Sequence, residues 1–272
     1  MGLTKPVVPV DEAPIGRATM TRIIENVPAE MVLVGGQALA LWMNRYGIGP
    51  KERAGESFNT KVTTDADFLG SQEHASRLAR ALGARIIVPD SRALTALVAQ
   101  IRVKAASGLE HNIDVLRQLY DAGGLKASVE LTKRAISRAA LAETGSGKRI
   151  RILHPLDVLA SRINNAAGLT HSKGEHVLTQ ARWGIKVTRV AVGRVVSAGD
   201  QSTERPGAMA REIERLASSR AGRNVYRMYG IETAEAIPFA LLLKKVAGFT
   251  KQGVVILRSL HKQGRMKDVR IA

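Results

Sequence analysis

The chain has 272 residues, 45% of them hydrophobic, enough for one large domain or two modest ones with a substantial core, which excludes a wholly disordered protein. It has no cysteine, which excludes disulfides and thiolate metal centres and suits a reducing cytoplasm. Its net charge of +17 attracts polyanions, of which nucleic acid is the commonest, although a chain can also be basic for solubility alone.

The charge is uneven. Residues 1–150 carry 20 Lys and Arg against 15 Asp and Glu, whereas residues 151–272 carry 21 against 9. Charged residues interrupt the first thirty positions, so no secretory signal is expected there. The apolar stretch "IPFALLLKKVAGF" is cut by Lys244 and Lys245, and none approaches the roughly 20 residues of a membrane span. Aromatics make up only 4%, which leaves the core to Leu, Val, Ile and Ala.

In chain order, "IGRATMTRIIENV" (15–27) has helical spacing and stops at Pro28. "MVLVGG" (31–36) is a continuous apolar run, the pattern of a buried strand, and "QALALWMNRYG" (37–47) reads as a helix closed by Gly47. Residues 48–59 are polar and Gly-rich, a loop. "KVTTDADFL" (61–69) alternates as a strand, with Asp65 and Asp67 on one face. "EHASRLARALG" (73–83) is an amphipathic helix, and "ARIIVPD" (84–90) a short strand. "LTALVAQIRVKA" (94–105) is ambiguous, with strand favoured after Ala99. "HNIDVLRQL" (111–119) starts as a strand carrying Asp114. "SVELTKRAISRAALA" (128–142) reads as a helix whose β-branched first half could be strand. "KRIRIL" (148–153) is a strand, and "HPLDVLASRINNAAGL" (154–169) a helix with Pro155 in its first turn. Helices are expected over about 172–192, over 206–221 and from about 235 onward.

Several short motifs carry chemistry. A strand ending on Gly35-Gly36 and feeding a helix lets backbone N–H groups approach an anion, although glycine pairs at such turns can be only sterically convenient. The third glycine of a dinucleotide fingerprint is missing. "GSGK" (145–148) lacks the P-loop spacing and its hydroxyl residue, so it reads as a hairpin turn. Asp65 and Asp67 lie roughly 6.6 Å apart along one strand face, close enough to repel unless a cation lies between them. Their alternative is a solvated pair at a strand end. Asp114, between Ile113 and Val115, is a candidate third acid; its alternative is the outward face of an edge strand. His171 and His176 lack the companions of a zinc site. Trp42 and Trp183 read as packing residues. In "MAREIERLASSRAGRNVYRMYG" (209–230), Arg211, Arg215, Arg220, Arg223 and Arg227 interleave with Tyr226 and Tyr229, which suits nucleic acid. The alternative there is a solvated helix in which Glu212 and Glu214 pair with neighbouring arginines.

The order Gly-Gly, helix, K-x-T-x-D-x-D, then a third Asp on a later strand resembles the nucleotidyltransferase superfamily. Within it, "VLVGGQALALW", "KVTTDADFL" and "NIDVL" are most similar to the stand-alone nucleotidyltransferases of bacterial toxin–antitoxin and abortive-infection systems. The chain departs from that pattern in three places. Lys61 stands where Arg is usual, Gly35-Gly36 where many members have Gly-Ser, and the 48–59 loop widens the gap before the aspartates.

The resemblance implies an α/β fold with a mixed sheet flanked by helices over residues 1–150 and a basic, mainly helical domain over 151–272. It implies that Asp65, Asp67 and Asp114 hold two Mg²⁺ ions and that Asp114 helps activate an acceptor hydroxyl. Gly35, Gly36 and Lys61 would bind the NTP, with Arg162, and Lys173 as the second candidate, reaching the triphosphate. The expected activity is transfer of an NMP to an acceptor hydroxyl, with RNA (tRNA-like) favoured by the charge, in a cytoplasmic protein that an antitoxin could neutralise. Two other readings stay open: a catalytically silent nucleic-acid-binding protein on this fold, and an antitoxin-like partner protein.

Overall fold

The computed structural model describes residues 15–48, 65–90, 92–104, 110–144, 147–199 and 204–266. Residues 49–59 of the expected loop over 48–59, Lys61 and residues 61–64 of the expected strand over 61–69 fall outside these residues. The chain divides into a sheet unit, within Met1–Gln37, Lys51–Gln118 and Ala139–Ile152, and a helical unit, within Ala38–Pro50, Leu119–Arg138 and Leu153–Ala272.

The sheet unit holds a mixed seven-stranded sheet formed by β1 (Val32–Val34), β2 (Ala66–Leu69), β3 (Arg85–Ile87), β4 (Leu97–Lys104), β5 (Glu110–Leu116), β6 (Ala140–Glu143) and β7 (Arg149–Ile152). Its strand order is β3-β4-β5-β2-β1-β7-β6. β1 runs parallel to β7 and β2 parallel to β5, and the other neighbours are antiparallel. β1, all apolar, is buried throughout, as a strand with both faces covered must be. β4 alternates: Ala99, Ile101 and Val103 are buried, while Gln100 and Arg102 on the other face are half-buried. α1 (Arg17–Asn26) packs against α3 (Gln72–Leu82), and α3 against β4. α3 buries Ala75, Leu78, Ala79 and Leu82 at helical spacing. Its ends are fixed by a Ser71–His74 capping box and by Gly83 in the left-handed conformation.

The helical unit contains most of α2 (Gly35–Tyr46), α4 (Leu125–Ser137), α5 (Pro155–Gly168), α6 (Thr170–Lys173), α7 (His176–Ala198), α8 (Pro206–Ser218), α9 (Arg220–Tyr229), a 3₁₀ turn (Thr233–Ala236), α10 (Phe239–Lys245) and α11 (Phe249–Lys262). α5 is buried on every side from Pro155 to Asn164. Its Leu156, Leu159 and Ile163 share a core with Ala181 and Ile185 of α7, Ile213 of α8 and Val225 of α9. Asp157, in the first turn of α5, is fully buried and accepts from Arg134 Nε at 2.9 Å, Arg138 Nε at 2.9 Å and an Arg138 terminal nitrogen at 2.8 Å. The remaining donors of Arg138 reach both oxygens of Glu212 at 2.8 Å. Burial alone would lower the Arg138 pKa, but the bonds to Glu212 and Asp157 outweigh it and raise it above the ordinary value. His154 caps α5 by accepting from Leu156 N, and its Nε2 lies 3.0 Å from Glu204.

Several boundaries differ from expectation. The second helix starts at Gly35, so both glycines lie in its first turn. The stretch 128–142 splits into helix α4 and strand β6. The expected helix over 206–221 breaks at Ser219, whose extended backbone and hydroxyl start α9 afresh. No helix among the described residues is long and apolar enough to cross a membrane.

Candidate active site

β2 and β5 are interior strands, and in their parallel register Asp67 and Asp114 are direct partners. Neighbouring strands lie about 4.8 Å apart, so the two carboxylates leave the sheet side by side on one face. The pleat sends Ala66, Phe68, Ile113 and Val115 to the opposite face, where all four are buried. Apolar burial on one side thus fixes which way the acids point. Asp65 immediately precedes β2 and, like Asp67 and Asp114, is half-buried. The reading of Asp114 as an edge-strand residue does not hold, because β4 and β2 flank β5.

The glycine turn meets this acidic edge. β1 pairs antiparallel with β2, with Val34 opposite Asp67, and the chain then turns into α2 at Gly35. Gly35 has φ +66°, and a Cβ there would lie 1.9 Å from Asp67 Oδ2. Glycine is therefore required twice, by backbone conformation and by the approach of the carboxylate. Gly36 follows in the first turn, where helix N–H groups have no intrahelical partner and favour an anion.

A second layer was not foreseen from the sequence. Gln100 on β4 faces Asp114 in register and donates from Nε2 to its Oδ1 at 3.1 Å. Arg102 donates in turn to Gln100 Oε1 at 3.1 Å and to Glu110 at 3.3 Å. This relay fixes the orientation of the Asp114 carboxylate. The signal was there: Gln100 and Arg102 are two apart in a strand whose intervening residues are apolar.

Among the residues assigned by motif, Gly35, Asp67 and Asp114 come together, and Asp65 and Gly36 adjoin them. Lys61 lies outside the described residues. Arg162 and Lys173 belong to the helical unit. Arg162 is buried on α5 and donates to Gln180 at 2.7 Å and to Ser161 at 3.0 Å, whereas Lys173 is exposed on α6. His171 and His176 are also exposed. Among the described residues, no three His, Asp or Glu side chains are grouped so as to hold a metal ion; the structure sets Asp67 beside Asp114 on one face, with Asp65 directly before β2. These acids, set at a glycine turn that opens a helix, are the residue types that hold hard cations and anionic phosphate.

The other motifs take structural places. Residues 147 and 148 close the β6–β7 connection, where Thr144 N donates to Lys148 O and the Lys148 ammonium to the carbonyls of Glu25 and Val27. Trp42 is buried and donates to Leu153 O at 2.8 Å. Arg211, Arg215, Arg220, Arg223 and Arg227 are exposed, but the aromatic rings between them are engaged: Arg265 lies over Tyr226 at 5.0 Å, and Tyr229 packs on the helical core. Glu212 and Glu214 bond to Arg138, Ser218 and Ser259 rather than to neighbouring arginines. No model of a known protein family matches the chain, and no curated protein matches it.

Proposed function

We propose that the sheet unit carries out metal-dependent nucleotidyl transfer, moving an NMP from an NTP to an acceptor hydroxyl. The observation that supports this most is the pairing of Asp67 with Asp114 on parallel interior strands, with Gly35 pressed against Asp67 at the start of a helix. Asp65, Asp67 and Asp114 would hold Mg²⁺, which when bound neutralises phosphate charge and stabilises the departing pyrophosphate. The N–H groups at Gly35 and Gly36 would bind β- and γ-phosphate oxygens. The acceptor oxygen attacks the α-phosphorus and its proton passes towards Asp114. The bond from the α-phosphorus to the bridging oxygen breaks, and pyrophosphate leaves with that oxygen.

RNA is the acceptor class the charge favours, in keeping with a cytoplasmic enzyme. The toxin-like reading rests on the sequence resemblance and adds a neutralising partner protein. The test is incubation with each labelled NTP, Mg²⁺ and total RNA, comparing wild type with Asp65→Asn. Label on RNA that disappears in the variant supports the proposal. No transfer to RNA or protein with any of the four nucleotides overturns it.

The exposed arginines of α8 and α9 favour one second reading, RNA binding without chemistry. It predicts tight, salt-sensitive binding that survives Asp65→Asn and Asp67→Asn together, with no label transfer.

A further inference from the structure

Among the described residues of the sheet unit, two buried side-chain polar atoms have no hydrogen-bond partner, Gln37 Nε2 and Asn112 Oδ1. Such atoms are rare in folded proteins because the lost hydration is not replaced, and each calls for a physical reason. Both residues adjoin the acidic edge. Gln37 lies in the first turn of α2, and Asn112 precedes Asp114 by two residues on β5, which puts it on the same face.

Asn112 is 5% exposed, and its surroundings limit what its oxygen can meet. Towards β4 its register partner is Arg102, whose Nε and one terminal nitrogen bond Gln100 and Glu110 and none of whose nitrogens bonds the Asn112 oxygen. Towards β2, Ala66 pairs with Ile113, so the next step of that ladder sets Asp65 beside Asn112. Along β5 the neighbour on that face is Asp114. The amide oxygen thus sits beside two carboxylates, and ionised carboxylates accept hydrogen bonds without donating them. An acceptor oxygen beside two carboxylates, with no donor bonded to it, is satisfied by a cation, and a donor set of carboxylates and an amide carbonyl suits a hard divalent ion.

We infer that Asn112 Oδ1 is a neutral oxygen ligand of the divalent cation that Asp65 and Asp114 hold together with Asp67. The inference rests on the proposed function only in placing such a cation at these aspartates.

The test is Mn²⁺ titration of the full chain, reading free Mn²⁺ by electron paramagnetic resonance, on wild type and on Asp67→Asn, Asn112→Leu and Asn112→Asp. Thermal unfolding is followed in parallel without metal. The expected result is Mn²⁺ binding by wild type, its loss in Asp67→Asn, and weakening by about 10–100-fold in Asn112→Leu. Asn112→Asp binds at least as tightly as wild type. Without metal, Asn112→Leu melts no lower than wild type, because it removes an unpartnered acceptor; a structural hydrogen bond would have the opposite effect. If wild type binds Mn²⁺, Asp67→Asn does not, and Asn112→Leu binds like wild type, this inference fails while the proposed metal site stands. If wild type binds none, the metal site itself fails and the inference with it. Should Asn112→Leu not fold, weaker binding by Asn112→Asp than by wild type overturns the assignment.

Discussion

Asp67 Oδ2 occupies the space a side chain on Gly35 would need, 1.9 Å from where the Cβ would stand. Gly35→Ala must displace the carboxylate as well as strain a left-handed backbone. Gly47, with φ +64° and nothing within 4 Å of its would-be Cβ, is the matched control. Both alanine variants should lose about 1–2 kcal/mol from backbone strain. Gly35→Ala should lose more, and it alone should impair Mn²⁺ binding. Urea unfolding and metal titration of the pair check this. Equal losses with unchanged metal binding would mean that the contact with Asp67 is incidental.

Gln100 orients Asp114 without being one of the three acids. Gln100→Met keeps the bulk and removes the donor, and it should lower divalent-ion affinity by about 10–100-fold, as loss of a supporting hydrogen bond commonly does. The melting temperature should stay close to that of wild type, since Gln100 is only half-buried. Affinity unchanged within twofold would remove Gln100 from the site.

How much of this was legible depended on whether a signal was local. Asp65, Asp67, Asp114 and the glycine pair could be read because alternation and strand–helix punctuation are properties of short windows. The pairing of Asp67 with Asp114 could not be read, since it arises from strand order and needs β5 to dock beside β2 with 40 residues between the two strands in the chain. Gln100 was legible as a polar position on an alternating strand, but its role was not, because it arises only opposite Asp114. The 128–142 stretch misled through its Ser, Val and Thr residues. In the folded chain the Thr132 hydroxyl donates to Ser128 O and accepts from Leu119 N, while the Ser128 hydroxyl accepts from Asp121 N. These hydroxyls tie the preceding loop to a helix, and tertiary contact overrides propensity. Ser219 ends one helix and caps the next because Gly222 packs against the end of α8, where a Cβ would lie 2.3 Å from Leu216 O.

The Arg138–Glu212 pair gives the helical unit an acid sensitivity. Burial would raise the Glu212 carboxyl, but its bond to Arg138 and the nearby Arg134 and Arg215 hold it below the ordinary 4.5. A carboxyl lowered by folding stabilises fully above its unfolded value, and the contribution fades as pH falls through the folded value. Glu212→Gln should therefore cost about 1–3 kcal/mol at pH 7. The gap to wild type should close as the pH falls below 4.5. Melting temperatures of both proteins across that range check the sign; a gap that widens on acidification would refute it.

Arg220, Arg223 and Arg227 share the exposed face of α9, opposite buried Ala221 and Val225. If this face meets RNA, replacing the three by alanine should weaken binding uniformly across sequences. It should also reduce the slope of log affinity against log salt by about one for each phosphate no longer neutralised. Binding measured between 50 and 200 mM salt, the range over which such charge pairing is most visible, reads the effect directly. An unchanged slope would assign the positive charge to another surface.

The two central acids meet through backbone register, which leaves the number of residues between them free to drift. An insertion between β3 and β4 need move neither one, whereas a single extra residue inside β5 would turn Asp114 towards the apolar side. Kindred chains are therefore better recognised by which strand lies beside which than by counting positions between aspartates.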